Sequence, residues 1–132
     1  MQYDFSDDIQ RGILFLSKYS RDFYLQISSL VRAEYFEYPI HANIYQGISK
    51  YYEDYKSIPK DLHLLEAVKE FQSPKEDQSD YSDEIYRINS MDASCIGHTE
   101  FFLDIIEKFA QKSAMREAIT NSIGLLKDDR IG

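Results

Sequence analysis

Residues 38–55 read YPIHANIYQGISKYYEDY, and the spacing of their apolar side chains decides the fold class. Tyr38 precedes a proline, which biases it away from helical backbone. Pro39 itself fits the first turn of a new helix, where a missing N–H breaks no bond. Ile40, Ile44, Ile48, Tyr52 and Tyr55 then follow at intervals of three and four. That period predicts a helix reaching about Tyr55, with these five side chains buried or half-buried along one face.

The same intervals extend in both directions. Downstream, Lys56-Ser57-Ile58-Pro59 is a short connection, and Leu64, Leu65, Val68 and Phe71 predict an inward-facing helix over residues 61–71. Upstream, Ser20 is an N-cap candidate for a helix carrying Phe23, Ile27 and Leu30, which ends between residues 31 and 34. Before it, Ile9, Ile13 and Leu16 form a stripe over residues 7–19, and Asp7 with Gln10 has capping-box spacing. Gly12 within that helix either weakens it, by up to about 1 kcal/mol relative to Ala, or admits a close neighbour. Loops of a few residues between such helices suit a compact bundle.

Residues 72–92 differ in character. Glu76, Asp77, Asp80, Asp83, Glu84 and Asp92 face only Lys75 and Arg87, a net charge of −4, half of the chain's −8. Tyr81, Ile85 and Ile88 predict a short helix within what otherwise reads as a solvated acidic linker. After Cys95-Ile96-Gly97-His98, Thr99 and Glu100 open the longest helix, which continues past Gly124 toward Asp128. With Phe102 at zero and 100° per residue, Ile105, Ile106 and Phe109 gather around it, whereas Met115, Ile119, Ile123 and Leu126 centre roughly 90° away. A straight helix therefore offers its two halves to different partners; a kink over residues 111–114 would cancel the offset. The expected division is a globular helical subdomain at residues 1–98, including the acidic linker 72–92, and a long helix at 99–132.

Composition excludes several functions. Among 132 residues, 15 Lys and Arg stand against 23 Asp and Glu, a poor balance for gripping a phosphate backbone. No apolar run approaches the roughly 20 residues of a membrane span, and the acidic N-terminus lacks the features of a signal peptide. A lone cysteine, Cys95, suits a reducing cytoplasm. Phosphate-loop, dinucleotide and nucleophile-elbow motifs are absent, so no catalytic residue and no cofactor is expected. Cys95 and His98 form a single C-x-x-H pair without the second pair that structural zinc requires, and the acidic run lacks the glycine and terminal Glu of a calcium loop; no metal site is expected. His41 is expected to bond the preceding loop, since the sequence places no carboxylate or cysteine for it. Asp104 and Lys108 are an ordinary i, i+4 pair. Eleven Tyr and eight Phe without Trp line the rim of a small core or furnish a docking surface.

In order, the chain presents Phe36-x-x-Pro39-x-His41, Ile44-Tyr45 with Ile48, and Pro59-x-Asp61 with Leu64-Leu65. This succession resembles the N-terminal domain of DnaB-type replicative DNA helicases, and the Tyr-rich composition suits a bacteriophage version. The long helix with Phe102, Phe109 and Arg116 is similar to the first arm of that family's helical hairpin. The resemblance implies an all-α, non-catalytic collar domain acting in DNA replication in a bacterial or phage-infected cytoplasm. Its parent would be a hexameric ATP-dependent helicase whose motor follows the hairpin. The implied partners are further copies of the chain, primase and a helicase loader, with neither strong direct DNA binding nor membrane association. Ending at Gly132 after one arm, the chain reads as a domain fragment. The stripe Met115, Ile119, Ile123 and Leu126 is the expected protein interface. The competing reading is a stand-alone helical adaptor whose acidic loop binds a basic protein.

Overall fold

A computed structural model describes residues 5–131, with side chains described through residue 123. The described residues form seven α-helices and two 3-10 turns, without a strand. They are α1 (Asp7–Tyr19), α2 (Arg21–Ile27), α3 (Pro39–Tyr55), α4 (Asp61–Ala67), α5 (Gln78–Asn89), α6 (Asp92–Cys95) and α7 (Thr99–Ile131), with 3-10 turns at Ala33–Tyr35 and Val68–Glu70. The all-α bundle ending in a long helix is thus present as the apolar spacing predicted.

Local chemistry explains most boundaries. Ser20 closes α1 through its backbone N–H, donated to the Leu16 carbonyl, and opens α2 by accepting the Phe23 N–H on its hydroxyl. The cap of α1 is Ser6, whose hydroxyl accepts the Ile9 N–H. Asp7 is the first helical residue instead, where its charge favours the positive end of the helix dipole. Pro39 starts α3 as expected, and Lys56 ends it in the left-handed conformation at φ 56°.

Three expectations are corrected. The second helix stops at Ile27 rather than beyond Val31, because the N–H groups of Leu30 and Val31 both turn back onto the Ile27 carbonyl. Leu30 is left 37% exposed. The fourth helix tightens into 3-10 geometry at Val68, so Phe71 lies past its end and is only half-buried. Tyr55 is 66% exposed and belongs to the surface.

Within the acidic segment the helix expected around Tyr81, Ile85 and Ile88 runs from Gln78 to Asn89 and belongs to the bundle. Asp77 and Asp80 exchange side-chain-to-backbone hydrogen bonds in a capping box that nucleates α5. Tyr81, Ile85 and Ile88 are buried against α1, α3 and α4. Ile13, Leu14, Phe23, Ile27, Ile44, Ile48, Leu64 and Ile88 form the centre of the core with essentially no exposure. Gly12 leaves room on α1 for the ring of Phe102, which brings the first turns of α7 into the same core. Among the described residues, no helix is long and apolar enough to cross a membrane.

Candidate functional site

The long helix changes role along its length. In its first three turns Phe102 and Ile106 are buried, and Leu103, Ile105 and Phe109 are half-buried against the core. Phe109 closes an aromatic cluster, with ring centroids 4.2 Å from Phe5 and 5.0 Å from Tyr35. Farther on, apolar side chains no longer meet the bundle. Met115, Ile119 and Ile123 are 65%, 55% and 50% exposed. Leu126, the fourth residue of the expected interface, lies outside the residues whose side chains are described.

The side of α7 that faces the bundle does not rotate with the stripe. Ser113, Glu117 and Thr120 lie across a polar cleft of about 300 Å³ from Arg32, Glu34 and Tyr35. Arg32 joins Glu117 and Glu34 in ion pairs and sits over the Tyr35 ring at 5.2 Å. On the same wheel, Ser113, Glu117 and Thr120 fall at about 20°, 60° and 0°, beside Phe102, while Met115 and Ile119 fall at about 220° and 260°. The helix is continuous from Thr99 to Ile131, so the phase offset survives in three dimensions. The bundle takes a polar face from the second half, and the apolar face points elsewhere.

A second constellation lies inside the bundle. His41, Gln10 and Glu84 have at most 1% exposure. His41 Nδ1 is 2.8 Å from Gln10 Oε1, and Nε2 is 2.5 Å from Glu84 Oε2. The Gln10 amide is oriented by its own donation to the Phe5 carbonyl at 2.8 Å. Glu84 also accepts from Arg11 Nε at 2.7 Å and from Arg87 Nη1 at 3.2 Å. Burial acts to raise the Glu84 carboxyl, but the bonds from Arg11 and His41 outweigh it and hold its pKa below 4.5. Burial pulls His41 below its ordinary 6.5, with the Glu84 bond pulling back.

The expectation that His41 bonds the preceding loop is therefore corrected, since its ring nitrogens meet Gln10 of α1 and Glu84 of α5, 31 and 43 positions away. The signal was present in residues 81–88. Glu84 shares the i, i+3, i+4, i+7 face of Tyr81, Ile85 and Ile88, and an acid in that phase must enter the core and find a cation. Acid–base chemistry on a substrate has no access here, because His41, Gln10 and Glu84 are closed from solvent; the network binds α1, α3 and α5 together.

Cys95 and His98 do not converge. The thiol is buried with its sulfur 3.9 Å from the Gly12 carbonyl, and burial raises its pKa to about 11, whereas His98 is exposed. Among the described residues, no group of three or more His, Cys, Asp or Glu is arranged to hold a metal ion. No protein-family model, curated protein or solved structure shows significant similarity to the chain.

Proposed function

We propose that this chain is a non-catalytic assembly and docking domain of the kind that collars DnaB-type replicative helicases. In this reading it pairs with further copies through α7 and offers a platform to primase or a loader during DNA replication. The observation that carries the reading is the uncovered stripe of Met115, Ile119 and Ile123 on a helix whose other face is already committed to the bundle. Single exposed apolar residues are ordinary, but three in helical register form a continuous patch of the sort that seats another helix.

The residues that carry the resemblance act here as scaffold rather than as a ligand site. Phe36 and Ile44 are core, Pro39 starts α3, and the Tyr45 hydroxyl donates to the Val31 carbonyl. Asp61 pairs with Lys18 at 2.7 Å and accepts from Asn89. Docking would then fall to surfaces outside this pattern, chiefly α7.

Sedimentation velocity of the double variant Ile119→Asp, Ile123→Asp tests the assembly role. Dissociation to monomer is the expected result, and an association state equal to that of the unmodified chain overturns it. Co-sedimentation with purified primase tests the docking role, which fails if no complex forms at micromolar concentrations.

A further inference from the structure

A surface groove of about 350 Å³ lies between the last turns of α3 and the helix α4 with its 3-10 extension. It takes no part in the α7 stripe or in the buried His41 network. Its walls are aromatic. Tyr51 packs against Tyr55 with centroids 4.6 Å apart, and against His63 at 5.8 Å with the ring planes within 12°. Tyr51 is half-buried, whereas Tyr55 and His63 open to solvent. Along the rim stand the carboxylates of Asp54, Glu66 and Glu70, with Lys50 as the lining cation. Lys50 is held by Asp54 at 3.3 Å, and Lys69 reaches Glu66 at 2.9 Å from outside. Among the described residues Glu70 has no ion-pair partner within 4.0 Å.

We propose that this groove docks an arginine side chain presented by a basic segment of a partner protein. A planar guanidinium can lie on the Tyr55 or His63 ring while donating to Glu70, a pairing of stacking and charge-assisted hydrogen bonding that suits Arg better than Lys. The fold makes such contacts within itself, with Arg21 at 5.6 Å over Tyr52 and Arg32 at 5.2 Å over Tyr35. Charge selects the class of partner. The groove is lined by three acids and one base, and the whole chain carries −8, so phosphate-bearing ligands are repelled and basic segments are drawn in. The proposal is independent of the α7 assembly reading and stands or falls separately.

The test titrates the full chain with a short peptide of alternating Gly and Arg, followed by amide and side-chain NMR shifts. A matched peptide carrying citrulline keeps the planar group but removes its charge. Saturable shifts confined to residues 50–55 and 63–70 are expected, with binding of the citrulline peptide abolished. Tyr55→Ala and Glu70→Gln, both at exposed positions that spare the core, should each weaken the Arg peptide about tenfold. The proposal is overturned by no saturable binding, by shifts spread equally over the acids of α5, by unchanged affinity in Tyr55→Ala, or by equal binding of the citrulline peptide.

Discussion

The ring of Phe102 lies so close over Gly12 that a Cβ added there would stand 2.5 Å from its Cζ, and nearer still to Cε1. Cys95 Sγ would be 3.3 Å away, and the ring itself is packed in the core with 4% exposure. Gly12→Ala should therefore lower stability even though alanine is the better helix former. Overpacking costs about 1–3 kcal/mol, against an intrinsic helix gain of at most about 1 kcal/mol. Urea unfolding should show a reduced midpoint with an unchanged slope. Shortening the ring with Phe102→Leu in the same chain should return part of the loss, because the two positions share one contact. A Gly12→Ala protein as stable as the parent would mean that the α1–α7 contact is looser than this packing.

Acidification should lower the stability of the protein in two stages. His41 has a folded pKa below 6.5, so the unfolded chain binds its proton first. Its contribution is present above 6.5 and lost as pH falls through the folded value. Glu84 follows the same sign from 4.5 downward, since the bonds from Arg11 and His41 lower its folded pKa despite burial. Unfolding free energy measured between pH 7.5 and pH 3 should begin to fall near 6.5 and fall again below 4.5. In His41→Gln the first decline should vanish and the second remain. A profile flat from pH 7.5 to pH 5 in the unmodified chain contradicts the assignment.

Breaking the buried pair from the carboxylate side should be costly at neutral pH. Glu84→Ala leaves the buried His41 ring without its acceptor and removes the shorter of the two ion pairs of Arg11, which is 23% exposed and also reaches Asp8. With His41 neutral at that pH, the loss is that of an unsatisfied buried donor, about 1–3 kcal/mol, together with the cavity left by the truncated side chain. Thermal melting at pH 7 should register this as a large drop in midpoint. By contrast, Asp83→Ala, one residue earlier on the solvent side of α5, should stay within about 0.5 kcal/mol of the parent.

The legible parts of this fold are those dictated by neighbours in the chain. Pro39, the Ser20 hydroxyl and the three-and-four spacing of Ile40, Ile44 and Ile48 act over one turn, and the corresponding boundaries of α1, α2 and α3 emerged from them. The end of α2 did not, because the return of Leu30 and Val31 onto the Ile27 carbonyl is stabilised by tertiary placement of Val31 and Phe36 in the core. Glu84 was obscured by the acids around it, whose composition suggests solvent although its phase points inward. The α7 stripe was visible as a change of helical phase; the polar face beside it needed the three-dimensional position of Arg32 and Tyr35. The aromatic groove depends on His63 meeting Tyr51 across two helices, a contact that periodicity within either helix does not contain.

The two apolar stripes of α7 should separate cleanly under substitution. Phe109 touches Phe5 and Tyr35 within the fold, so Phe109→Ala should lower unfolding free energy by about 2–4 kcal/mol, less than a fully buried Phe because the ring is half-buried. Its effect on self-association at a temperature where it remains folded should be small. Ile119 and Ile123 are 55% and 50% exposed and make no core contact. Ile119→Asp with Ile123→Asp should therefore leave the unfolding free energy of the monomer within about 1 kcal/mol of the parent, while changing the sedimentation coefficient and removing any concentration dependence of the melting temperature. A double Asp variant that loses monomer stability as severely as Phe109→Ala would place the second stripe inside the protomer's own core and remove it as an interface.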